Sequence, residues 1–298
     1  MVNRGGLLVV GEVVTDVVVR HGAAPAHGTD TPARITTTPG GSGANVACWA
    51  ARSGCADVRL LARAGADSAA WHREALVRAG VRPLLPVDGT AATGTVVALV
   101  DASAERTFLT DSGAVLRLAP EDWSPALLRG AARLHLSGYL LFGPVSRRTA
   151  SIALREARRR GVAVSVDPAS AGFLSGMGAG PFLDLVEGVD LLLPNADEAV
   201  ELTGLPDPGD AAAKLSRHVA KVAVTLGDRG VVLAAGGTVT ARLPAVPVPA
   251  PVDSTGAGDA FTGAFLAALL AGADEVAAAE AGCRAGAEAV ATVGARPA

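Results

Sequence analysis

Along the chain, short runs of apolar and β-branched residues bounded by Gly, Pro or Asp alternate with longer Ala-, Leu- and Arg-rich stretches. That alternation is the βαβ rhythm of a mostly parallel sheet covered by helices. Strands are predicted at Leu7–Val10, Val58–Ala62, Leu134–Ser137, Ala163–Val166, Leu191–Leu193, Val222–Thr225 and Val231–Ala234. Between them, Ser146–Arg160 is apolar at Ile152, Ala153 and Leu154 and basic at its C-terminal end. It reads as an amphipathic helix with cations at the favourable end of its dipole. Two segments break the rhythm. Val13–Ile35 and Gly89–Thr110 are strand-like with no intervening helix, and TGTVVALVDASAERTFLT has the form of a hairpin turning near Asp101–Glu105. With no long linker or repeat, the pattern predicts one domain over residues 1–298, carrying a small sheet built from about 13–35 and 89–110.

Composition narrows the class. The 298 residues are 50% hydrophobic and 18% charged, and a chain of this length can bury roughly 75% of its unfolded surface. Gly 36 and Pro 18 stay below the level at which low-complexity disorder is expected. A net charge of −3, the lack of a basic block and an aromatic content of 3% argue against a nucleic-acid partner. The longest apolar stretch, Thr262–Ala273, is shorter than the roughly 20 residues that span a bilayer, so a buried helix is expected there and no membrane partner. The N-terminus shows no separate apolar segment ending in a cleavage site. Cys48, Cys55 and Cys283 are too few and too scattered for a disulfide framework, and the five histidines form no HxxxH pair. These features fit a reduced cytoplasmic protein without a structural metal.

The chemistry concentrates in four segments. In VDSTGAGDAFTGAFLAALLA (252–271), Ser254, Thr255 and the Gly256–Ala257–Gly258 turn lead into an apolar helix starting near Asp259. Free backbone N–H groups and the positive end of the helix dipole then converge on one spot suited to an anion. A carboxylate beside an anion site makes sense if it accepts a proton from a hydroxyl attacking phosphorus; taken alone, Asp259 could equally cap the helix. TPGGSGANVACWAA (38–51) is a second Gly-rich turn feeding a helix, and it matches neither G-x-G-x-x-G nor a Walker A loop. Its Asn45 could hydrogen-bond a polyhydroxyl ligand or serve as an ordinary cap.

DSTGAGDAFTGAF and GGSGANVA resemble the two signature segments of the ribokinase-like (PfkB) family of sugar and nucleoside kinases. LPNADEAVELTG (193–204) is similar to the family's asparagine–glutamate motif, and VTLGDRG (224–230) to its nucleotide-loop strand. The resemblance runs from Gly11 to Ala295. It implies a three-layer α/β/α sandwich with a small β-sheet lid, and phosphoryl transfer from ATP to a hydroxymethyl group. Asp259 would be the general base, with the backbone of Gly256, Ala257 and Gly258 as anion hole. Asn195 and Glu198 would organise Mg²⁺ through water, while Thr225, Gly227, Gly230 and Cys283 would border the nucleotide. Asp253, Thr255, Ala289, Thr292 and Gly294 match positions that bind an activating potassium ion in many members. Asp16, Gly40, Gly41 and Asn45 would surround the acceptor under the lid, which would exclude water and could also pair two copies into a homodimer.

Several positions depart from ribokinases proper. Val14 replaces an asparagine, Ser42 a lysine, and Gly138–Tyr139–Leu140 follows the strand where an acidic sugar contact is expected; Cys283 replaces an asparagine beside adenine. The first three argue against ribose as the acceptor, while the last leaves ATP in place and changes one wall of its pocket. Arg106 in the second lid segment could meet an acidic sugar or simply face Glu105 at the surface. Phe108 and Tyr139 could contribute to a platform for a base, yet no dense aromatic cluster is evident, so a sugar is favoured over a nucleoside. The retained GAGD turn and Asp259 argue against a non-catalytic sugar- or nucleotide-binding regulatory protein.

Overall fold

A computed structural model describes residues 5–102 and 106–297, with the side chain of Arg106 outside the described set. Among these residues the strands are β1 (Gly6–Val10), β2 (Val14–His21), β3 (Ala33–Gly40), β4 (Val58–Leu61), β5 (Ala64–Gly65), β6 (Arg82–Leu84), β7 (Val87–Asp88), β8 (Gly94–Val100), β9 (Arg106–Asp111), β10 (Ala131–Ser137), β11 (Ala163–Asp167), β12 (Leu191–Leu192), β13 (Lys221–Thr225), β14 (Val231–Ala235) and β15 (Thr238–Leu243). The helices are α1 (Ser42–Arg52), α2 (Ala69–Arg78), α3 (Pro144–Arg159), α4 (Ala171–Met177), α5 (Ala179–Val186), α6 (Ala196–Thr203), α7 (Pro208–Leu215), α8 (Ala257–Leu270) and α9 (Glu275–Val290).

The central sheet runs β15-β14-β13-β12-β11-β10-β1-β4-β6. It is parallel from β13 to β6 and ends in the antiparallel β13–β14 and β14–β15 pairs. Because side chains alternate across a strand, β1 feeds two cores. Leu8 and Val10 join Leu134, Leu136 and α3 on one face, whereas Leu7 and Val9 join α1, α8 and α9 on the other. That two-sided burial is why the strands read as apolar runs, and it yields the expected α/β/α layering.

Helix α8 is apolar all round because it is enclosed by α1, α9 and the sheet. Its closest approach to α1 is at Gly263, where a Cβ would stand 2.6 Å from the Val46 carbonyl oxygen. This glycine lets the starts of the two helices face each other, and the site forms there.

The second sheet, β3-β2-β8-β9, stands beside the carboxyl ends of the parallel strands. Its bounds differ from those expected. The first segment continues to Gly40, because β3 pairs with β2 through to Val14↔Gly40 before turning into α1. The second begins at Gly94, since residues 89–93 form a turn whose backbone donates to Asp88 and Asp67. Strands β8 and β9 form the expected antiparallel hairpin, with the centre of its turn, 103–105, outside the described residues. β6 and β15, edge strands of the main sheet, were not foreseen.

Candidate active site

Phosphate-sized and sugar-sized groups have room in one cavity of about 620 Å³ at the carboxyl ends of the central strands, the position where open α/β sheets bind ligands. Asp259 lies in the first turn of α8. Its Oδ1 accepts from Ser42 Oγ at 2.7 Å and its Oδ2 from Asn45 Nδ2 at 2.8 Å. Burial pushes this carboxyl up to about 6, while the Asn45 and Ser42 hydrogen bonds and the positive Arg296 pull it down. At neutral pH it is therefore mostly ionised and held in one orientation. Asn45 is not the cap of α1, which is Gly41; its amide is turned to Asp259 and to Arg296, whose Nε donates to Asn45 Oδ1 at 3.2 Å.

The turn before α8 brings Thr255, Gly256 and Gly258 to the cavity wall. Gly256 has φ 76°, and a Cβ there would sit 2.6 Å from Ala295 Cα, so this left-handed turn packs against the C-terminal segment. The Ala257 N–H, expected in the anion hole, instead donates to the Ser254 carbonyl at 3.3 Å, because the turn closes on itself there. Asp253 ties the same turn to that segment, accepting from Thr255 N–H at 2.9 Å and from Gly294 N–H at 3.3 Å. Thr292 closes back onto the Ala289 carbonyl through its N–H and hydroxyl. These bonds join Asp253, Thr255 and Gly294 at one place, while Thr292 and Ala289 are held to each other.

On the lid side, Asp16 on β2 and Gly41 line the cavity, and Gly40 packs directly against the Asp16 carboxyl. Burial raises the Asp16 carboxyl to about 6 against the pull of Arg296. Arg106 begins β9, and its side chain lies outside the described residues.

At the opposite side, Asn195 and Thr225 pair across an isolated bridge and both reach the cavity with Glu198. Asn195 and Glu198 form a reciprocal cap of α6, in which Asn195 N–H and Nδ2 donate to Glu198 at 2.9 and 2.8 Å. Gly227 and Gly230 shape the β13–β14 loop, and Cys283 is half-buried on α9; none of the three lines this cavity. Among the described residues, no group of three or more His, Cys, Asp or Glu is arranged to hold a metal directly. Two buried carboxyls nevertheless meet here. Burial and the Glu198 charge hold Asp167 well above the usual carboxylate range, and burial raises Glu198 to about 7. Two acids raised side by side on the cavity wall fit a divalent cation bound largely through its water shell.

Four groups escaped the sequence reading. Glu12, directly after β1, accepts from Gly43 N–H at 3.0 Å and is raised to about 7 by burial. Asp167 ends β11; both acids were findable as carboxylates at the ends of parallel strands. Arg296 and Phe173 gave no local signal. Phe173 corrects the expectation of no aromatic cluster. Tyr139 and Phe173, in edge contact at 5.7 Å, line the cavity with Phe108 from the lid, and Phe142 stacks on Phe173 at 5.1 Å. Tyr139 and Phe142 are near neighbours, but Phe108 and Phe173 come from segments more than 30 residues away on either side, so no run in the sequence displays the cluster.

Asp259 thus stands in the first turn of α8 beside a glycine turn, in one cavity with Asp16. A model described as "pfkB family carbohydrate kinase" matches residues 5–298. The chain belongs to the PfkB family of carbohydrate kinases. This kinase is 34% identical over 281 residues to the fructokinase of Klebsiella pneumoniae, covering 90% of this chain and 85% of that one. Adenosine kinase from Sinorhizobium meliloti shares the fold at a TM-score of 0.89 and 23% identity, over 99% of this chain and 96% of that one. Arabidopsis thaliana ribokinase, solved with ribose and ATP, superimposes at a TM-score of 0.80 and 26% identity, over 98% and 94%. The ribokinase-like architecture is thereby established, and among the described residues no helix is long and apolar enough to cross a membrane.

Proposed function

We propose that this kinase transfers the γ-phosphoryl group of ATP to a hydroxymethyl group of a small carbohydrate. The observation carrying the reading is Asp259, clamped by Ser42 and Asn45 in one cavity with Gly256, Gly258 and Asp16. Asp16 accepts hydroxyls of the acceptor and aims its hydroxymethyl group at Asp259. Asp259 takes the proton as the acceptor oxygen bonds to γ-phosphorus and the bond from γ-phosphorus to the β,γ-bridging oxygen of ATP breaks, releasing ADP. Backbone N–H groups of Gly256 and Gly258, with the α8 dipole behind them, stabilise charge on the transferring group. Asn195, Glu198 and Asp167 would hold Mg²⁺ through water, and the ion supplies neutralisation of phosphate charge when bound. Thr225 borders the nucleotide inside the cavity, and Gly227, Gly230 and Cys283 would border the part that extends beyond it. Asp253 and Thr255, with carbonyls near Ala289, Thr292 and Gly294, hold a potassium ion that steadies the anion-hole turn; activity indifferent to replacing potassium by sodium would reject that role.

The aromatic wall of Phe108, Tyr139 and Phe173 favours a second reading, a nucleoside acceptor whose base rests on these rings. ATP consumption measured with pentoses, hexoses, acidic sugars and nucleosides separates the two. Turnover with sugars is expected; turnover with nucleosides alone would replace the first reading by the second.

A further inference from the structure

Arg296 does not line the cavity that holds Asp259, yet it is wired to it from behind. Its Nε donates to Asn45 Oδ1 at 3.2 Å and its Nη2 to the Gly40 carbonyl at 2.8 Å. Its Nη1 is buried with no hydrogen-bond partner. The guanidinium lies against a second cavity of about 760 Å³, walled by Cys48 and Arg52 of α1, Ala75 and Arg78 of α2 and the C-terminal segment. A guanidinium can only donate and an ionised carboxylate can only accept. Asn45 sits between the two, so its amide has one satisfying orientation, with Oδ1 to Arg296 and Nδ2 to Asp259.

Charge makes the same case. Asp259 shares its surroundings with four other acids: Glu12, Asp16, Asp167 and Glu198. Arg296 is the cation felt by both Asp16 and Asp259. Facing Arg296 in turn are Asp16, Asp259, the Cys48 thiol and His72.

We propose that Arg296 is a positioning residue for the phosphoryl transfer: from behind the cavity wall it fixes the Asn45 amide on Asp259 and sets positive charge beside both Asp259 and Asp16. The proposal rests on Asp259 acting as the base. Arg296→Gln removes the charge and Arg296→Lys keeps it without the fork that spans Asn45 and Gly40. Activity rises with pH as the base ionises, so Arg296→Gln should move the acid limb of kcat upward by about one pH unit, and lower kcat at neutral pH by about tenfold or more. Arg296→Lys should leave the limb near its original pH and still lower kcat. Guanidinium ion, admitted through the second cavity, should restore part of the kcat of Arg296→Ala. A role in folding alone would lower kcat without moving the limb, and that result would overturn the proposal.

A second measurement needs no turnover. The Tm difference between the wild-type chain and Arg296→Gln should widen as Asp16 and Asp259 ionise near pH 6, because Arg296 favours their charged forms. A gap constant from pH 4 to 8 would overturn the proposal. If the wild-type chain phosphorylates no sugar or nucleoside, the reading of the site as a kinase centre fails, and the pH dependence of the gap still decides whether Arg296 governs these carboxylates.

Discussion

The two ends of the cavity are made differently. Around Asp259 the walls come from α1, α8 and the C-terminal segment, which pack against each other in the core, and each carboxylate oxygen already has a donor. The lid side is an open four-stranded sheet on which Ile35, Phe108 and Leu109 are more than half exposed. Chemistry that depends on fixed charge and orientation gains from the first kind of wall, because little reorganisation is left for the moment of reaction. An acceptor must enter and leave, and the second kind of wall allows it. Catalytic power and acceptor choice should therefore be separable by mutation.

The largest effect is expected at the fixed end. Asp259→Asn should lower kcat by at least about 10³-fold, given the leverage of a positioned base, with ATP affinity by calorimetry nearly unchanged. Near-normal turnover would remove Asp259 from the chemistry. Asp16→Ala should reduce kcat/KM for the acceptor by about 10²-fold, the cost of hydrogen bonds to a buried carboxylate, and leave ATP binding largely intact. Equal losses for both ligands would erase the division between the two ends.

A smaller effect concerns stability. Glu12, Asp16, Glu198 and Asp259 all have folded-state pKa values raised mainly by burial, to about 6 or 7. Each binds its proton more tightly folded than unfolded, so the folded state holds more protons between about pH 4 and 7, and stability falls as pH rises through that window. The slope is at most about 1.4 kcal/mol per pH unit for each proton involved. Asp16→Asn and Asp259→Asn should each flatten the curve of Tm against pH; an unchanged curve would show that these acids do not titrate as the buried site requires.

The smallest effect on turnover is expected on the outer lid. Ile35, 62% exposed on β3, is available to a second copy, and we expect a homodimer through the lid. Ile35→Asp should shift sedimentation towards monomer while changing Tm little, because the side chain leaves no core. A monomeric wild-type chain would refute the dimer.

Much of this architecture was legible in the chain because its cause is local. Buried parallel strands read as apolar runs, and the Gly-rich turns that feed α1 and α8 stand out before their helices. The lid announced itself as strands without helices. Its limits did not, since β3 ends only where its pairing with β2 stops at Gly40. Asn45 was recognised as a polar residue at a helix start, but its partners lie 214 and 251 residues away.

By itself, then, the sequence determined the α/β layering, the family and the residue types able to move a phosphoryl group, because each depends on neighbours a few positions apart. Only the tertiary structure decided which side chains share a dielectric and a hydrogen-bond network. It gathered five acids around one cavity, raised them by burial, set Arg296 behind two of them, and assembled an aromatic wall from three separate segments. Such groupings arise when distant elements dock, and no spacing along the chain records the distance between them.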